Sequence, residues 1–238
     1  MSGIYVASDA DPRLTEWIGS LGIETVSVET EGLVSGPVSR HPDMFICRLG
    51  IGDAADIVVC PDLADYADLS GESSEETGAS KAITGETHLK AGYPDEVRYN
   101  AACTGKYFIH NLKHTAPELL DAARSRGISL VDVRQGYAKC SIVIVDEESI
   151  ITYDRGISKA CRAAGLDVLE VAPGHVLLPG YDTGFIGGTS GRCGDFLVFN
   201  GNLSEHPDYG RIRDFVTGKG LRLKYFEEWP LTDIGSLV

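Results

Sequence analysis

The sequence predicts an α/β fold in which about five similar units lie around a common axis. Three observations predict it. A helix, a glycine and an alternating strand recur along the chain, the spacing of the glycines leaves room for a further unit, and a polar residue precedes an apolar strand in the visible units. The sequence therefore predicts one domain, residues 1–238.

The recurring unit is an amphipathic helix that ends at a glycine and is followed at once by a strand. Glycine adopts the left-handed conformation at a helix C-terminus without a steric penalty. The visible copies are Arg13–Val28, Leu119–Val133, Ile157–Val171 and Ile212–Phe226. The interval between Gly22 and Gly127 is about twice the later ones, which predicts a fifth, degenerate unit between them.

The expected unit boundaries follow from these repeats. They are roughly 1–61, 62–104 (the degenerate unit), 105–153, 154–201 and 202–238. The degenerate unit contains a polar run, residues 71–81, which predicts an exposed loop.

A loop followed by a hairpin occupies the middle of the chain. Ser141–Val145 is rich in β-branched residues and predicts a strand, Asp146–Glu148 predicts a tight turn, and Ser149–Tyr153 predicts the return strand. Cys140 lies in the loop, directly before the first of these strands.

The composition disfavours nucleic acid and membrane partners. The formal net charge is -14 over 238 residues, whereas binding to a phosphate backbone requires a basic surface. The surplus of carboxylates is typical of a solvated surface and is compatible with a small cationic substrate. No apolar run approaches a membrane span and no signal peptide is recognisable, so we expect a cytoplasmic protein. A homo-oligomer is left open.

The six cysteines are scattered and form no CxxC pair, which predicts neither a disulfide framework nor a zinc site. Cys47, Cys60 and Cys161 fall in apolar strand or helix patterns and are expected in the core. Cys103 and Cys193 lie near loops and are expected to be structural. Cys140 lies at a loop-to-strand junction and not inside an apolar run, and the preceding lysine would lower the pKa of its thiol.

His41 and Asp43 form a His-Pro-Asp turn whose proline fixes the backbone. An imidazole in this turn can act as a general acid or base, and the carboxylate can pair with a guanidinium. A simple turn-forming role is the alternative for both residues.

Asp182 and Asp233 precede apolar strands in the third and fourth visible units. Carboxylates that face one small cavity repel each other unless a cation lies between them. If the units surround one axis, these residues would hold a guanidinium or an amine, whereas the alternative is an aspartate that hydrogen-bonds to its own turn. His175 precedes a strand and is a further candidate for the same site.

Several short runs resemble an uncharacterised bacterial family grouped with the pentein fold, the propeller of guanidino-modifying enzymes such as arginine and agmatine deiminases and amidinotransferases. The runs are His41-Pro-Asp-Met, Tyr99-Asn-Ala-Ala, Gln135-Gly-Tyr-Ala-Lys-Cys-Ser, Gly174-His-Val, Gly184-Phe-Ile-Gly-Gly, Phe199-Asn-Gly-Asn and Pro230-Leu-Thr-Asp-Ile-Gly-Ser. The resemblance implies a pentein-type α/β propeller around an axial cavity, with a cysteine, a histidine and carboxylates in the pore. In the active members the nucleophilic cysteine lies in the last module, where this sequence has Thr232–Ser236.

The leading hypothesis is a cofactor-independent hydrolase or transferase that acts on a C–N bond of a guanidino or similar small cationic molecule. Cys140 would attack the carbon, His41 would transfer protons, and Asp43, Asp182 and Asp233 would hold the cation. The alternative is a non-catalytic protein of the same fold that binds a small ligand or a partner protein. A third hypothesis is a metal-dependent hydrolase that uses His41, Asp43 and His175. The glycine-rich run Gly184–Gly191 lacks the features of a nucleotide-binding loop, so no cofactor is expected.

Overall fold

A computed structural model describes residues 3–30, 32–52, 55–64 and 81–238. The α-helices of this part of the chain are α1 (Pro12–Ser20), α2 (Pro61–Ala64), α3 (Pro117–Ser125), α4 (Ala138–Ser141), α5 (Arg155–Ala163) and α6 (Tyr209–Gly218). The strands are β1 (Gly3–Ala7), β2 (Glu24–Val28), β3 (Ile46–Arg48), β4 (Ile57–Val59), β5 (Ala82–Thr84), β6 (Ala102–Cys103), β7 (Tyr107–His110), β8 (Ser129–Asp132), β9 (Ile142–Asp146), β10 (Ser149–Thr152), β11 (Asp167–Glu170), β12 (Ser190–Cys193), β13 (Phe196–Phe199) and β14 (Arg222–Lys224). Within the described residues, no helix has both the length and the apolarity needed to cross a membrane.

The strands form small sheets with a repeated topology. β1 and β2 pair in parallel, and the remaining strands form four three-stranded sheets, β3-β4-β5, β6-β7-β8, β9-β10-β11 and β12-β13-β14. In each of these four, the first two strands are antiparallel and the third is parallel to the second. A parallel pair requires a crossover connection, and α1, α3, α5 and α6 supply it in four of the five sheets. The predicted α/β class is confirmed.

Each of the four helix–glycine–strand units predicted from the sequence is present. The glycines that end the helices, Gly22, Gly127, Gly165 and Gly220, have φ angles of 76°, 69°, 100° and 78°, in the region that a side chain disfavours. Each helix packs on its sheet through two fully buried side chains four residues apart, which lie on one helix face. These pairs are Leu14 and Ile18, Leu119 and Ala123, Ile157 and Cys161, and Ile212 and Val216.

Val238 adds a further strand-like contact to the first sheet. Its backbone exchanges two hydrogen bonds with Tyr5 of β1, at N–O distances of 2.7 and 3.1 Å, which is the pattern of an antiparallel pair. The neighbouring Leu237 donates its N–H to the carbonyl of Ser190 in β12, at 3.0 Å. Residues 237–238 therefore lie between β1 and β12.

The predicted hairpin differs from the observed one at its start. Ala138–Ser141 forms one turn of helix, α4, and β9 begins at Ile142 instead of Ser141. Cys140 consequently lies in a short helix instead of a loop. The carbonyl of Tyr137 accepts a hydrogen bond from Ser141 N, at 3.1 Å, and so closes the helical turn.

The sheet β3-β4-β5 reaches into the predicted degenerate unit, because β5 lies in that unit and pairs in parallel with β4. A fifth sheet is therefore present in this part of the chain. The polar run predicted as an exposed loop falls mostly on residues outside the described part of the chain. The three-stranded sheets span residues 46–84, 102–132, 142–170 and 190–224. Each span crosses one of the predicted unit boundaries, since the third strand of a sheet follows its antiparallel pair in the chain.

All six cysteines lie in the described part of the chain, are buried and form no disulfide. The prediction that Cys47, Cys60 and Cys161 belong to the core is confirmed, because each is at most 1% exposed and packs in an apolar cluster. Cys140 is equally buried, but its surroundings are polar.

Candidate active site

The Cys140 side chain lies in a buried polar cluster. Its Sγ is 3.3 and 3.2 Å from the two carboxylate oxygens of Asp43 and 3.1 Å from Nδ2 of Asn100. Burial raises the pKa of the Cys140 thiol well above its ordinary value, and the nearby carboxylates of Asp43 and Asp233 raise it further. The sulfur is therefore a thiol that donates to Asp43 and accepts from Asn100.

Asn100 fixes the position of the cysteine. Its Oδ1 accepts hydrogen bonds from the backbone N–H groups of Lys139 and Cys140, at 3.0 and 3.3 Å. Since the carboxamide oxygen is occupied in this way, the Nδ2 group faces the Cys140 sulfur and the carbonyl of Asp43. One side chain thus orients both the backbone of α4 and the thiol.

Asp43 lies at the centre of the cluster, in a 3₁₀ turn over Pro42–Met44, and is fully buried. Its Oδ2 accepts a hydrogen bond of 2.7 Å from the Ser236 hydroxyl in addition to the contact with Cys140. Burial raises the pKa of the Asp43 carboxyl, and the positive charge of Lys139, and of His41 when it is protonated, acts in the opposite direction.

His41 and Asp233 form the other half of the cluster. The Nδ1 of His41 is 3.7 Å from Oδ1 of Asp233, beyond hydrogen-bond distance, and this buried nitrogen has no hydrogen-bond partner among the described residues. Asp233 accepts backbone N–H bonds from Phe185 and Gly235, at 2.9 and 3.0 Å. Burial raises the pKa of the Asp233 carboxyl to about 6, despite these bonds and the charge of Lys139. Burial lowers the pKa of the His41 imidazole, so the neutral ring is favoured.

Two glycines allow these loops to approach each other. A Cβ at Gly188 would overlap the carboxylate of Asp233, and a Cβ at Gly235 would overlap the backbone and Cβ of His41. Gly235 also has a φ of 71°, which favours glycine. The glycine-rich run before β12 is therefore needed for the packing of the cluster.

The structure brings together four of the six predicted site residues and separates the other two. Cys140, His41, Asp43 and Asp233 lie in one cluster, and the ligand atoms of the first three are within 4.8 Å of one another. Asp182 and His175 are exposed, and the ring of His175 packs against that of His206, with the centroids 5.5 Å apart. No described contact joins either residue to the cluster.

Sequence reasoning missed Asn100 and Ser236 as members of the cluster. A positional signal for Asn100 was present, because Asp43, Asn100 and Cys140 each lie two or three residues before the first strand of a three-stranded sheet, β3, β6 or β9. Ser236 adopts a left-handed backbone conformation, with a φ of 67°, which is uncommon for a residue with a side chain. The amino-acid sequence around Ser236 does not predict this conformation.

A pocket of about 370 Å³ leads to the cluster from the surface. His41 and Asp233 line it together with Asp9, Ser39 and Arg40. Cys140 and Asp43 do not line the pocket, so they lie behind its wall. A ligand that enters here meets the imidazole and the carboxylate of Asp233 first.

His41, Asp43 and Cys140 offer the donor types that a divalent transition metal accepts, one nitrogen, one oxygen and one sulfur. His175, which the sequence suggested as a metal ligand, is exposed and lies against His206. The thiol of Cys140 would have to lose its proton before it could bind a metal.

The comparisons with known proteins identify a family and a fold. A family model described as "Family of unknown function (DUF6873)" matches residues 5–238. No curated protein matches the sequence.

Three solved structures cover nearly the whole chain at low sequence identity. A mutant of DDAH from Pseudomonas aeruginosa, complexed with citrulline, has a TM-score of 0.54 and 10% identity, and the match covers 95% of this chain and 92% of that one. A dimethylarginine dimethylaminohydrolase adduct with 4-chloro-2-hydroxymethylpyridine has a TM-score of 0.52 and 11% identity, with 95% and 93% covered. SxtG, an amidinotransferase from Microseira wollei in the saxitoxin biosynthetic pathway, has a TM-score of 0.54 and 11% identity, with 95% and 88% covered. All three are pentein-fold proteins, and the predicted pentein fold is confirmed.

Proposed function

Because the chain belongs to the family of unknown function DUF6873 and has the pentein fold, we propose that it is a cofactor-independent hydrolase or transferase with Cys140 as its nucleophile. The substrate is a guanidino compound or a similar small cation, and the bond that breaks is a C–N bond. The observation that carries the proposal is the contact of the Cys140 thiol with the buried carboxylate of Asp43, at 3.2 and 3.3 Å, beside an unpartnered His41 nitrogen.

The proposed architecture is a propeller whose sheets surround an axial cavity. Contacts of β3 with β6, of β6 with β9 and of β9 with β12 support it, as does the position of residues 237–238 between β12 and β1. A cavity of about 60 Å³ is lined by a residue from each sheet, and we name it the axial cavity. Its lining includes Ile4, Ile46, Cys103, Ile144 and Gly191.

The charges of the cluster favour a cationic substrate. Asp43 and Asp233 are both buried, and Lys139 is the nearby cation that acts on both. Two carboxylates in one buried cluster repel each other when both are ionised, so a second positive charge placed near them lowers the free energy of the ionised pair. A guanidinium supplies this charge and can hydrogen-bond to carboxylates in the bidentate manner.

The cation also activates the thiol. A unit positive charge about 4 Å from a sulfur, at an effective dielectric of about 20, stabilises the thiolate by about 4 kcal/mol. That free energy lowers the thiol pKa by about 3 units, in opposition to the effect of burial and of Asp43. The substrate itself therefore promotes loss of the Cys140 proton, which His41 takes up.

The reaction proceeds in two steps. The thiolate forms an S–C bond to the guanidinium carbon, and the C–N bond to the departing amine breaks while His41 delivers a proton to that nitrogen. His41 then removes a proton from water, which adds to the same carbon, and the C–S bond breaks to regenerate the thiolate. In a transferase, an amine takes the place of the water. Since His41 is buried and neutral at rest, it takes up a proton when Cys140 is deprotonated in the presence of the substrate.

The competing proposal is a non-catalytic protein of the same fold that binds a small ligand or a partner protein. The burial of Cys140, at 1% exposure, and its raised thiol pKa favour this alternative. The Sγ lies within 4.8 Å of the ligand nitrogen of His41, but the described hydrogen bonds of the sulfur go to Asp43 and Asn100 and not to the imidazole. Catalysis therefore requires the imidazole to move towards the sulfur when the substrate binds.

A pair of alkylating reagents separates the two proposals. 2-Chloroacetamidine is cationic and shaped like a guanidinium, whereas 2-chloroacetamide is a neutral analogue of similar size. We expect the cationic reagent to modify Cys140 at least tenfold faster, and Asp233→Asn to remove most of that preference. Peptide mapping by mass spectrometry gives the rate at each cysteine, with Cys161 as the internal reference and Asp182→Asn as the matched surface variant.

A panel of alkylguanidines, assayed for release of ammonia or amine, tests the chemistry. Activity that is lost in Cys140→Ser but retained in Cys161→Ser supports the enzyme, and the same samples are analysed for bound metal. Equal rates for both reagents, with no turnover of any guanidine, would establish the alternative. Activity that depends on a bound metal would overturn the cofactor-independent mechanism.

A further inference from the structure

Glu96 is a buried carboxylate outside the cysteine cluster. It is 2% exposed and lies in the 3₁₀ turn Asp95–Val97. Its Oε2 accepts hydrogen bonds from the backbone N–H groups of Ser35 and Gly92, both at 3.0 Å, and from the Ser35 hydroxyl, at 2.5 Å. Its Oε1 accepts a short hydrogen bond from the Tyr137 hydroxyl. Segments that are remote in the sequence therefore meet at one carboxylate.

The donors hold Glu96 in its ionised form. Burial alone would raise the pKa of this carboxyl, but the hydrogen bonds from Ser35, Tyr137 and Gly92 lower it from its ordinary value. A hydrogen bond to an ionised carboxylate is shorter and about twice as strong as one between neutral groups. Glu96 is therefore a firm connection between the segment that begins at Ser35 and the segment that begins at Tyr137.

The Ser35 side of this connection leads to His41. Ser35 precedes the 3₁₀ turn Gly36–Val38, and its hydroxyl donates to Glu96 instead of capping that turn. The Val38 N–H donates to the carbonyl of Ser35, at 3.0 Å, and the Val38 carbonyl accepts the N–H of His41, at 3.1 Å. Because the two turns share Val38, a shift of Ser35 is transmitted to His41.

The Tyr137 side leads to Cys140. Tyr137 is the N-cap residue of α4, and its carbonyl accepts the N–H of Ser141, at 3.1 Å, which closes the helical turn that contains the cysteine. The Tyr137 ring stacks on that of Phe185, with the centroids 5.8 Å apart, and the Phe185 N–H donates to Asp233. The hydroxyl, the ring and the backbone of Tyr137 thus connect three parts of the site.

The separation between His41 and Cys140 decides whether the proposed chemistry can occur. Their ligand atoms lie within 4.8 Å of each other, and each residue is connected to a different oxygen of Glu96 through a few consecutive turns. We infer that Glu96 is a positioning residue, which holds the turn of His41 and helix α4 at a fixed separation. The connection itself does not require that the protein be an enzyme, whereas its effect on Cys140 rests on the proposed function.

Glu118 supplies a matched control, because its carboxylate is bound by the same types of donor. These are the Tyr99 hydroxyl, the backbone N–H groups of Glu86 and Thr87, and the Thr87 hydroxyl. Glu118 lies in α3 and joins this helix to the segment after β5. Loss of either carboxylate removes hydrogen bonds of one kind, so a difference between Glu96→Ala and Glu118→Ala reports the place of Glu96 in the fold.

Native-state hydrogen exchange, measured by NMR on the complete chain, tests the connection. The reporters are the N–H groups of Ser141 and His41, and the amides of α5 are the internal reference for global opening. We expect Glu96→Ala to speed exchange at both reporters roughly tenfold relative to α5, and Tyr137→Phe to do so at Ser141. Glu96→Gln should stay close to the wild type, because a carboxamide of the same shape can accept from Ser35 and donate to the Tyr137 oxygen.

The effect on chemistry is measured separately, as the rate of Cys140 alkylation against the concentration of 2-chloroacetamidine. We expect Glu96→Ala to lower the limiting rate roughly tenfold, with a smaller change in the half-saturating concentration. Glu96→Gln should restore the limiting rate, and Glu118→Ala should retain it. Circular dichroism establishes that each variant is folded, and if Glu96→Ala is not, Tyr137→Phe gives the same comparison with the loss of a single oxygen.

The inference is overturned if exchange at Ser141 and His41 changes no more in Glu96→Ala than in Glu118→Ala. A wild-type limiting rate of alkylation in Glu96→Ala, in a protein whose wild type prefers the cationic reagent, overturns it as well. If the wild type shows neither that preference nor turnover of a guanidine, the proposed function fails. Hydrogen exchange alone then decides whether Glu96 joins the two segments.

Discussion

Replacement of Asp43 by asparagine is predicted to lower the pKa of the Cys140 thiol. The carboxylate oxygens lie 3.3 and 3.2 Å from the sulfur. Two unit charges about 3.3 Å apart, at an effective dielectric of about 20, repel by about 5 kcal/mol. That free energy corresponds to nearly 4 pKa units, and we expect a fall of about 2 to 4 because burial still opposes the thiolate.

The asparagine is a conservative replacement at this position. It keeps the size of the side chain, and its carboxamide oxygen can still accept the hydrogen bond from the Ser236 hydroxyl. Burial raises the pKa of both groups, and the ordinary pKa of a carboxyl lies far below that of a thiol. We therefore expect the repulsion that the substitution removes to act over the range in which the thiol titrates.

Ultraviolet absorbance of the thiolate follows the titration directly. The signal of Cys140 in the Asp43→Asn background is the absorbance of that variant minus the absorbance of the Asp43→Asn, Cys140→Ser double variant. The corresponding signal in the wild-type background is the absorbance of the wild type minus that of Cys140→Ser, and the two titration curves are compared. Asp182→Asn serves as the control, since Asp182 is exposed and lies apart from the cluster. A midpoint for Asp43→Asn equal to or above that of the wild type would refute the electrostatic account of the site.

Two further predictions concern stability. Asp233 has a folded-state pKa of about 6, above its unfolded value, so its contribution favours folding at low pH and is lost as the pH rises through 6. Asp233→Asn removes this dependence. Between pH 3 and pH 7, the free energy of unfolding of the variant, measured with urea, should rise by about 3 kcal/mol relative to that of the wild type. Glu118 accepts hydrogen bonds from Tyr99 and from the backbone at Glu86 and Thr87, and although burial alone would raise its pKa, these bonds lower it to about 2. Glu118→Gln should destabilise the protein by about 1 to 2 kcal/mol near pH 7, since the group is partly exposed to solvent, and an unchanged denaturation midpoint would contradict this reading.

The repeat unit could be predicted from the sequence because its signals are local. A helix stripe, a glycine with a positive φ and an alternating strand each occupy a few consecutive residues, and Gly22, Gly127, Gly165 and Gly220 all end helices as expected. The boundary between Ser141 and Ile142 could not be found in this way. The helical turn of α4 depends on Asn100, whose side chain binds the N–H groups of Lys139 and Cys140 from 39 and 40 residues away.

The candidate site was predicted only in part, because contacts between distant segments also decide which side chains it contains. The criterion of a polar residue before an apolar strand identified Cys140 and Asp233, but the same criterion put Asp182 beside them. The structure instead packs Gly184 against the side chain of Asp233, where a Cβ would lie 2.7 Å from the Cβ of Asp233. The turn that contains Asp182 therefore faces the solvent. Only the packing of distant segments decides which residue of a loop points inwards.

The electrostatic balance of the cluster depends on one lysine. Asp43, Asp233 and the Cys140 thiol are buried together, and all three act on the charge of Lys139. Lys139→Met removes a positive charge that stabilises the thiolate, so we expect the pKa of the Cys140 thiol to rise in this variant. A pKa equal to or below that of the wild type would contradict this account of the cluster.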